Sequence, residues 1–162
     1  MTELTLLTQS NSPGRYEIER GASELLELDK TLAENNLKLT EFEAKEISET
    51  RLTSLRQNSR IEISMGATAR ILKKFAASAY VTNKNLPELV NFLCETFYFI
   101  KTETRDSISD QKLVDILFDK FENTCAGSTE HLADECENII RAFNLTGSSD
   151  RITVTEENEI EY

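Results

Sequence analysis

Cys125, His131 and Cys136 are the residues of this chain whose types suit metal or nucleophilic chemistry. Zinc takes thiolate and imidazole ligands in a tetrahedron, and its structural sites use four of them. Here three stand in a row, six and five residues apart. On one helix, His131 and Cys136 diverge by about 140° at 100° per residue, so no metal site is expected. Cys136 and Cys94 fall on apolar helical stripes, where a thiol behaves as a small hydrophobe. Cys125 differs, because Thr124-Cys125-Ala126-Gly127 precedes a helix start that can lower a thiol pKa. A nucleophilic cysteine also needs a base and an oxyanion site. His131, the single histidine, reaches Cys125 only if the loop folds back, so no catalytic pair is expected. The acids of Glu103–Asp110 lack the alternating ligands and central glycine of a calcium loop, and no phosphate loop or dinucleotide fingerprint occurs. The expectation is neither metal nor cofactor.

Arg51 is the more informative charge. It lies between Ile47 and Leu55 on the inward face of a helical pattern, where arginine is unexpected unless paired. Arg60 and Glu62 follow on a short extended stretch. An Arg51–Glu62 ion pair tying that stretch to the helix is the first reading. A pocket in which Arg51 and Arg60 hold a small carboxylate or phosphate, with Glu62 beside them, is the alternative.

These side chains have to be positioned by helices. Leu86, Leu89, Val90, Leu93, Cys94, Phe97 and Ile100 recur every three or four residues, which sets them on one helical face. Leu113, Ile116, Leu117 and Phe121 form a second stripe, and Leu132, Cys136, Ile139, Ile140 and Phe143 a third. With two prolines and five glycines in 162 residues, little material remains for β-turns. The fold class is therefore mostly α: a single-domain bundle of about six helices, with one or two short β segments as an option. The first helix is read over Ala22–Asn35, burying Leu25, Leu28 and Leu32. The second starts at Thr40, whose hydroxyl and Glu43 make a capping box, and runs to Arg56 or Gln57. Arg60-Ile61-Glu62-Ile63-Ser64 alternates with a two-residue period, as a brief extended segment does. Helices follow over Ala67–Ala79, from Leu86 with Pro87 in the first turn, after a Ser109 or Ser107 cap, and after Ser128. Residues 1–20 read as an irregular lead-in with a turn at Asn11–Gly14, residues 21–145 as the helical domain, and residues 146–162 as an acidic, mobile tail. Leu4–Thr8 and Ile152–Val154 are the possible strands at either end.

The formal net charge of −11 repels phosphate backbones, so nucleic acid is not expected as a partner. Residues 65–90 are locally basic, with Arg70, Lys73, Lys74 and Lys84 against Glu88. That stretch is short and poor in aromatics, and salt bridges within the chain account for it. No run of 18 apolar residues marks a membrane span. The opening residues lack the basic and apolar regions of a signal peptide, and three cysteines cannot close a disulfide framework. The reading is cytoplasmic, with reduced thiols.

Three pieces carry a resemblance: Arg51 through Arg60-Ile61-Glu62, then Phe97-Tyr98-Phe99, then Asp110 through Gly127-Ser128-Thr129-Glu130-His131-Leu132. Together, over residues 40–143, they resemble a domain-of-unknown-function family of small, acidic, mostly helical proteins from Gram-positive anaerobic bacteria. Its members carry a glycine near Ser59 and several around Gly66, of which this chain keeps Gly66. The resemblance implies a bacterial cytoplasmic helical domain and transfers no activity. From the residues themselves, Tyr98, Phe99 and Phe118 exceed what one inward face accommodates, and they predict an interface. The expected function is a non-enzymatic interaction module, partnering another protein or itself. The alternative is an anionic-ligand binder or enzyme at Arg51 and Arg60.

Overall fold

The computed structural model describes residues 13–146 as seven α-helices and one π-helical turn, with no strand among the described residues. They are α1 (Pro13–Leu26), α2 (Asp29–Glu34), α3 (Glu41–Gln57), α4 (Gly66–Phe75), α5 (Leu86–Glu103), α6 (Asp110–Asp119) and α7 (Thr129–Thr146), with the π turn at Lys120–Thr124. The mostly α bundle expected from the apolar stripes is what forms. The proposed strands at Leu4–Thr8 and Ile152–Val154 and the acidic tail from residue 147 onward lie outside the described residues.

α5 is the central helix, packed on one side against α3 and on others against α4 and α7. Its stripe of Leu86, Leu89, Val90, Leu93, Cys94, Phe97 and Ile100 is buried throughout. Each large apolar side chain taken out of water stabilises the fold by about 1.5–3 kcal/mol. This single helix therefore anchors three neighbours.

Local signals fixed several boundaries as expected. Thr40 accepts from the Glu43 amide while the Glu43 carboxylate accepts from the Thr40 amide, completing the capping box at the start of α3. Pro87 occupies the first turn of α5, where the absent amide leaves no bond unmade. Ser109 caps α6 through the Lys112 amide. One boundary needs correction: Asn85, expected to cap α5, makes no cap bond, because its side chain instead accepts from Thr82 N and donates to Tyr80 O.

Two expectations at the N-terminal end need correction. Pro13-Gly14 opens a helix rather than a turn, so residues 13–20 belong to α1 and not to an irregular lead-in. Proline suits a helix's first position, and Gly14 is covered by Leu52 and Arg56 of α3. The single helix expected over Ala22–Asn35 is broken at Glu27–Leu28, where both amides bond three residues back. α1 can therefore lie flat on α3. Gly21 is needed at that contact, because a Cβ there would collide with the Ser48 side chain.

At the other end, the π turn inserts an extra residue after α6 and closes with Cys125 N bonding Lys120 O. It turns Phe121 inward, against Phe75 and Tyr80 at centroid distances of 5.4 and 6.1 Å. Gly127 follows at φ +83°, and a Cβ there would fall 2.5 Å from the Tyr80 ring.

Candidate functional site

Residues 58–65, between α3 and α4, carry the two charges singled out in the sequence. Arg51, only 4% exposed, reaches this segment from α3. Its Nη2 donates to the backbone oxygens of Glu62 at 3.2 Å and Ser64 at 2.6 Å. The expected Arg51–Glu62 carboxylate pair is therefore not made. The Glu62 carboxylate instead accepts from the Tyr98 hydroxyl at 2.7 Å. Burial, reinforced by the adjacent Glu62 charge, pushes the Tyr98 phenol well above its ordinary pKa. Arg20 of α1 adds a bond to the Ile63 oxygen, and the Glu24 carboxylate takes the Met65 amide at 2.9 Å. A segment without secondary structure is thus held by side chains that satisfy its backbone.

Its two-residue alternation is real, with the acidic side chain inward and the apolar ones outward. Glu62 turns toward α5, while Ile61 and Ile63 stand 94% and 82% exposed. The brief extended segment pairs with no strand among the described residues, so the optional β segment is not taken up there.

Arg60 goes elsewhere. Its guanidinium makes a two-point contact with Asp106, at 3.0 and 2.5 Å, and the pairing holds the Asp106 carboxyl below its ordinary range. Asp106 and Arg105 both sit at positive φ in the α5–α6 loop. Buried Lys101 clamps that loop through the Ile108 oxygen and Asp110. Arg51 lines a small cavity of about 200 Å³ with Glu17, Arg20, Glu24 and Glu62; Arg60 does not line it. The structure therefore brings Arg51 and Glu62 together and separates Arg60 from them.

The three residues expected at an interface also part company. Tyr98 is 1% exposed, which corrects its placement on the surface: its hydroxyl has found the half-buried Glu62 carboxylate. Phe118 is half-buried, edge-on to Phe75 at 5.3 Å and beneath Lys74 Nζ at 5.1 Å. Phe99 alone is open, 49% exposed.

Phe99 lies in a groove of about 850 Å³ where α3, α5 and α7 meet. Phe92 and Phe99 from α5 and Ala133 and Ile140 from α7 give it an apolar floor, with Glu95, Glu103 and Glu137 along the edges. It runs into a polar depression of about 300 Å³ between α3 and α5, lined by Glu46, Glu49, Asn91 and Glu95. Ser54, Gln57 and Glu95 belong to both. Ser54 is 2% exposed, yet neither its Oγ nor Asn91 Oδ1 has a hydrogen-bond partner. No Lys, Arg or His lines either depression among the described residues.

The sequence reading passed over Phe92, Glu95, Ser54, Asn91 and Ile140 as a surface. One signal was present: Phe92, Thr96, Phe99 and Glu103 recur at helical spacing on α5, beside the buried stripe rather than within it.

All three thiols are buried. Burial pushes Cys94 and Cys136 up to about 12 and raises Cys125, so the lowering that a helix start can produce is not seen there. Glu135 adds to the rise at Cys125, while His131 is exposed on α7. No group of three His, Cys, Asp or Glu side chains among the described residues could hold a metal. No helix among them is long and apolar enough to cross a membrane.

No curated protein and no solved structure matches the chain. A family model does match, over residues 24–149, and this span takes in α3 through α7 and every residue of the groove. The chain belongs to that family, a family of unknown function designated DUF6323.

Proposed function

We propose that this chain is a non-enzymatic protein-interaction module that receives a partner segment in the groove between α3, α5 and α7. The observation that carries the reading is the open apolar floor, with Phe99 half-exposed at its centre. Its volume suits a set of inserted side chains. An apolar trough between helices is also the usual seat of an amphipathic helix. The raised thiols support a role that does not depend on a cysteine nucleophile. Three free cysteines suit the bacterial cytoplasm that the family resemblance implies.

Selection of a displayed random-peptide library on the full chain tests the reading, with Phe99→Asp as the counter-target. Peptides that bind the native chain and fail on the variant support it. A library that yields no Phe99-dependent peptide overturns it. Light scattering after size exclusion separates self-association from a foreign partner, since a homodimer through this face would dissociate in the same variant.

A second reading, small-ligand binding in the cavity beside Arg51, draws on one observation: Arg51 Nε is buried without a partner. A thermal-shift screen of anionic metabolites tests it. Stabilisation that Arg51→Met abolishes would favour it, and a flat panel would remove it.

A further inference from the structure

We propose that the occupant of the groove is a cationic, amphipathic helical segment of another protein, which seats a lysine or arginine in the polar end and apolar side chains over Phe92 and Phe99. This rests on the interaction reading above and adds the chemistry of the partner.

The polar end is one-sided in charge. Thr50, Thr53, Gln57 and the Asn91 amide bring donors as well as acceptors, but the only charged groups are the carboxylates of Glu46, Glu49 and Glu95, and the Ser54 hydroxyl is buried beside them with its bonding capacity unused. An unmet buried polar atom has lost its hydrogen bonds to water, and a donor reaching it from a ligand restores one. Ammonium and guanidinium groups carry three and five donors, no acceptor and a positive charge, which suits the three carboxylates of this lining. Ser54, Gln57 and Glu95 join the acidic end to the apolar trough, so one segment can fill both. Glu103 and Glu137 extend the negative edge along the trough.

The same charges disfavour the other occupants. A second copy would bring a chain of net charge −11 against an acidic edge. Its basic α4 is partly engaged already, with Arg70 on Gln111 and Lys74 on Asp115. The acidic residues 147–162 would be repelled.

The probe is a synthetic amphipathic helix of about four turns, with leucines on one face and lysines on the other, labelled for fluorescence anisotropy against the full chain. Two companions replace every lysine by glutamate or every leucine by serine. The leucine–lysine peptide is expected to bind, and each companion to bind at least about tenfold more weakly. Charge reversal at exposed Glu49 and Glu95 (E49K/E95K) should weaken it by a similar factor. The same change at Asp29 and Glu34 on α2 (D29K/E34K), away from the groove, should leave it within about twofold, which removes net charge as the explanation. Circular dichroism confirms that the variants fold, and Glu95→Gln supplies a milder one.

Equal binding of the glutamate peptide, an equal loss in D29K/E34K, or full displacement by spermine without any need for leucines would each overturn the proposal. Library peptides that depend on Phe99 but are neutral or acidic would sink the cationic partner and keep the interaction module. No Phe99-dependent peptide of any charge sinks both.

Discussion

Arg51 of α3 bonds the backbone of the 58–65 segment, whereas Ser54, less than one turn further along the same helix, is buried with its hydroxyl unpartnered. In the first region, formed by Arg51, Glu62, Tyr98, Arg20 and Glu24, the fold supplies nearly every partner from its own atoms. In the second, formed by Ser54, Asn91, Glu46, Glu49 and Glu95, three carboxylates share a lining to which no Lys, Arg or His belongs, and Ser54 Oγ and Asn91 Oδ1 have no partner. A satisfied polar network fixes structure, whereas an unsatisfied one beside an open apolar trough is a place where binding energy remains to be gained. The two regions are of similar polarity, and only the pairing distinguishes a structural cluster from a candidate site.

Arg51→Met gives the largest expected effect. It leaves the Glu62 and Ser64 carbonyls without donors and frees the 58–65 segment, and we expect a loss of roughly 2–4 kcal/mol in urea denaturation. A loss below about 1 kcal/mol would mean that the segment is not held by its arginine, and the contrast between the regions would collapse.

Tyr98→Phe removes the bond to the Glu62 carboxylate while keeping the ring, at an expected cost of about 1–3 kcal/mol. The pH dependence has a defined sign. The folded-state pKa of Tyr98 lies above its ordinary 10.0, so its contribution is fully present below that value and declines as pH rises beyond it. Absorbance titration of the phenols should show one tyrosine ionising after the rest, absent in Tyr98→Phe. Ionisation of all the tyrosines together would contradict the buried contact.

Asp106→Asn is expected to cost less, about 0.2–1 kcal/mol, because Asp106 is 56% exposed and solvent screens its pairing with Arg60. The Asp106 pKa is lowered, so its contribution is present above the ordinary carboxylate value of 3.8 and fades as the solution is acidified below it. A denaturation series from neutral to acidic pH, compared with the variant, would reveal it as a gap that closes toward acid.

What the sequence disclosed follows the range of the interactions. The Thr40–Glu43 box and the Ser109 cap span three residues, so spacing alone identifies them. The helices from α3 onward were legible from their apolar periods, because one buried face suffices to fix them. The alternation at Arg60–Ser64 was legible as well, but a two-residue period does not say which face points inward. That was decided by Tyr98, whose hydroxyl lies 36 residues away in sequence from the carboxylate it bonds. The same contact reverses the expected surface position of Tyr98. Phe99, its neighbour, stays exposed because the next side chain on a helix points about 100° away. The groove was the least legible feature. Phe92 and Phe99 show as a second stripe, but a depression exists only once α3, α5 and α7 are placed, and orphaned atoms such as Ser54 Oγ are defined by what fails to reach them.

The finest test sets two serines of α3 against each other. Ser48 and Ser54 are both almost fully buried on the same helix. Ser48 Oγ donates to the Ile18 oxygen at 2.8 Å and ties α1 to α3, whereas Ser54 Oγ has no partner. Ser48→Ala should cost about 1 kcal/mol by removing the bond that ties α1 to α3. Ser54→Ala strands nothing, and alanine is the better helix former, so stability should stay level or rise by up to about 0.5 kcal/mol. Peptide binding should move the other way: Ser54→Ala is expected to weaken the leucine–lysine peptide, and Ser48→Ala to leave it unchanged. A fold that loses more with Ser54→Ala than with Ser48→Ala would show that the Ser54 hydroxyl is satisfied in solution, and the groove would then be as closed as the Arg51 cluster.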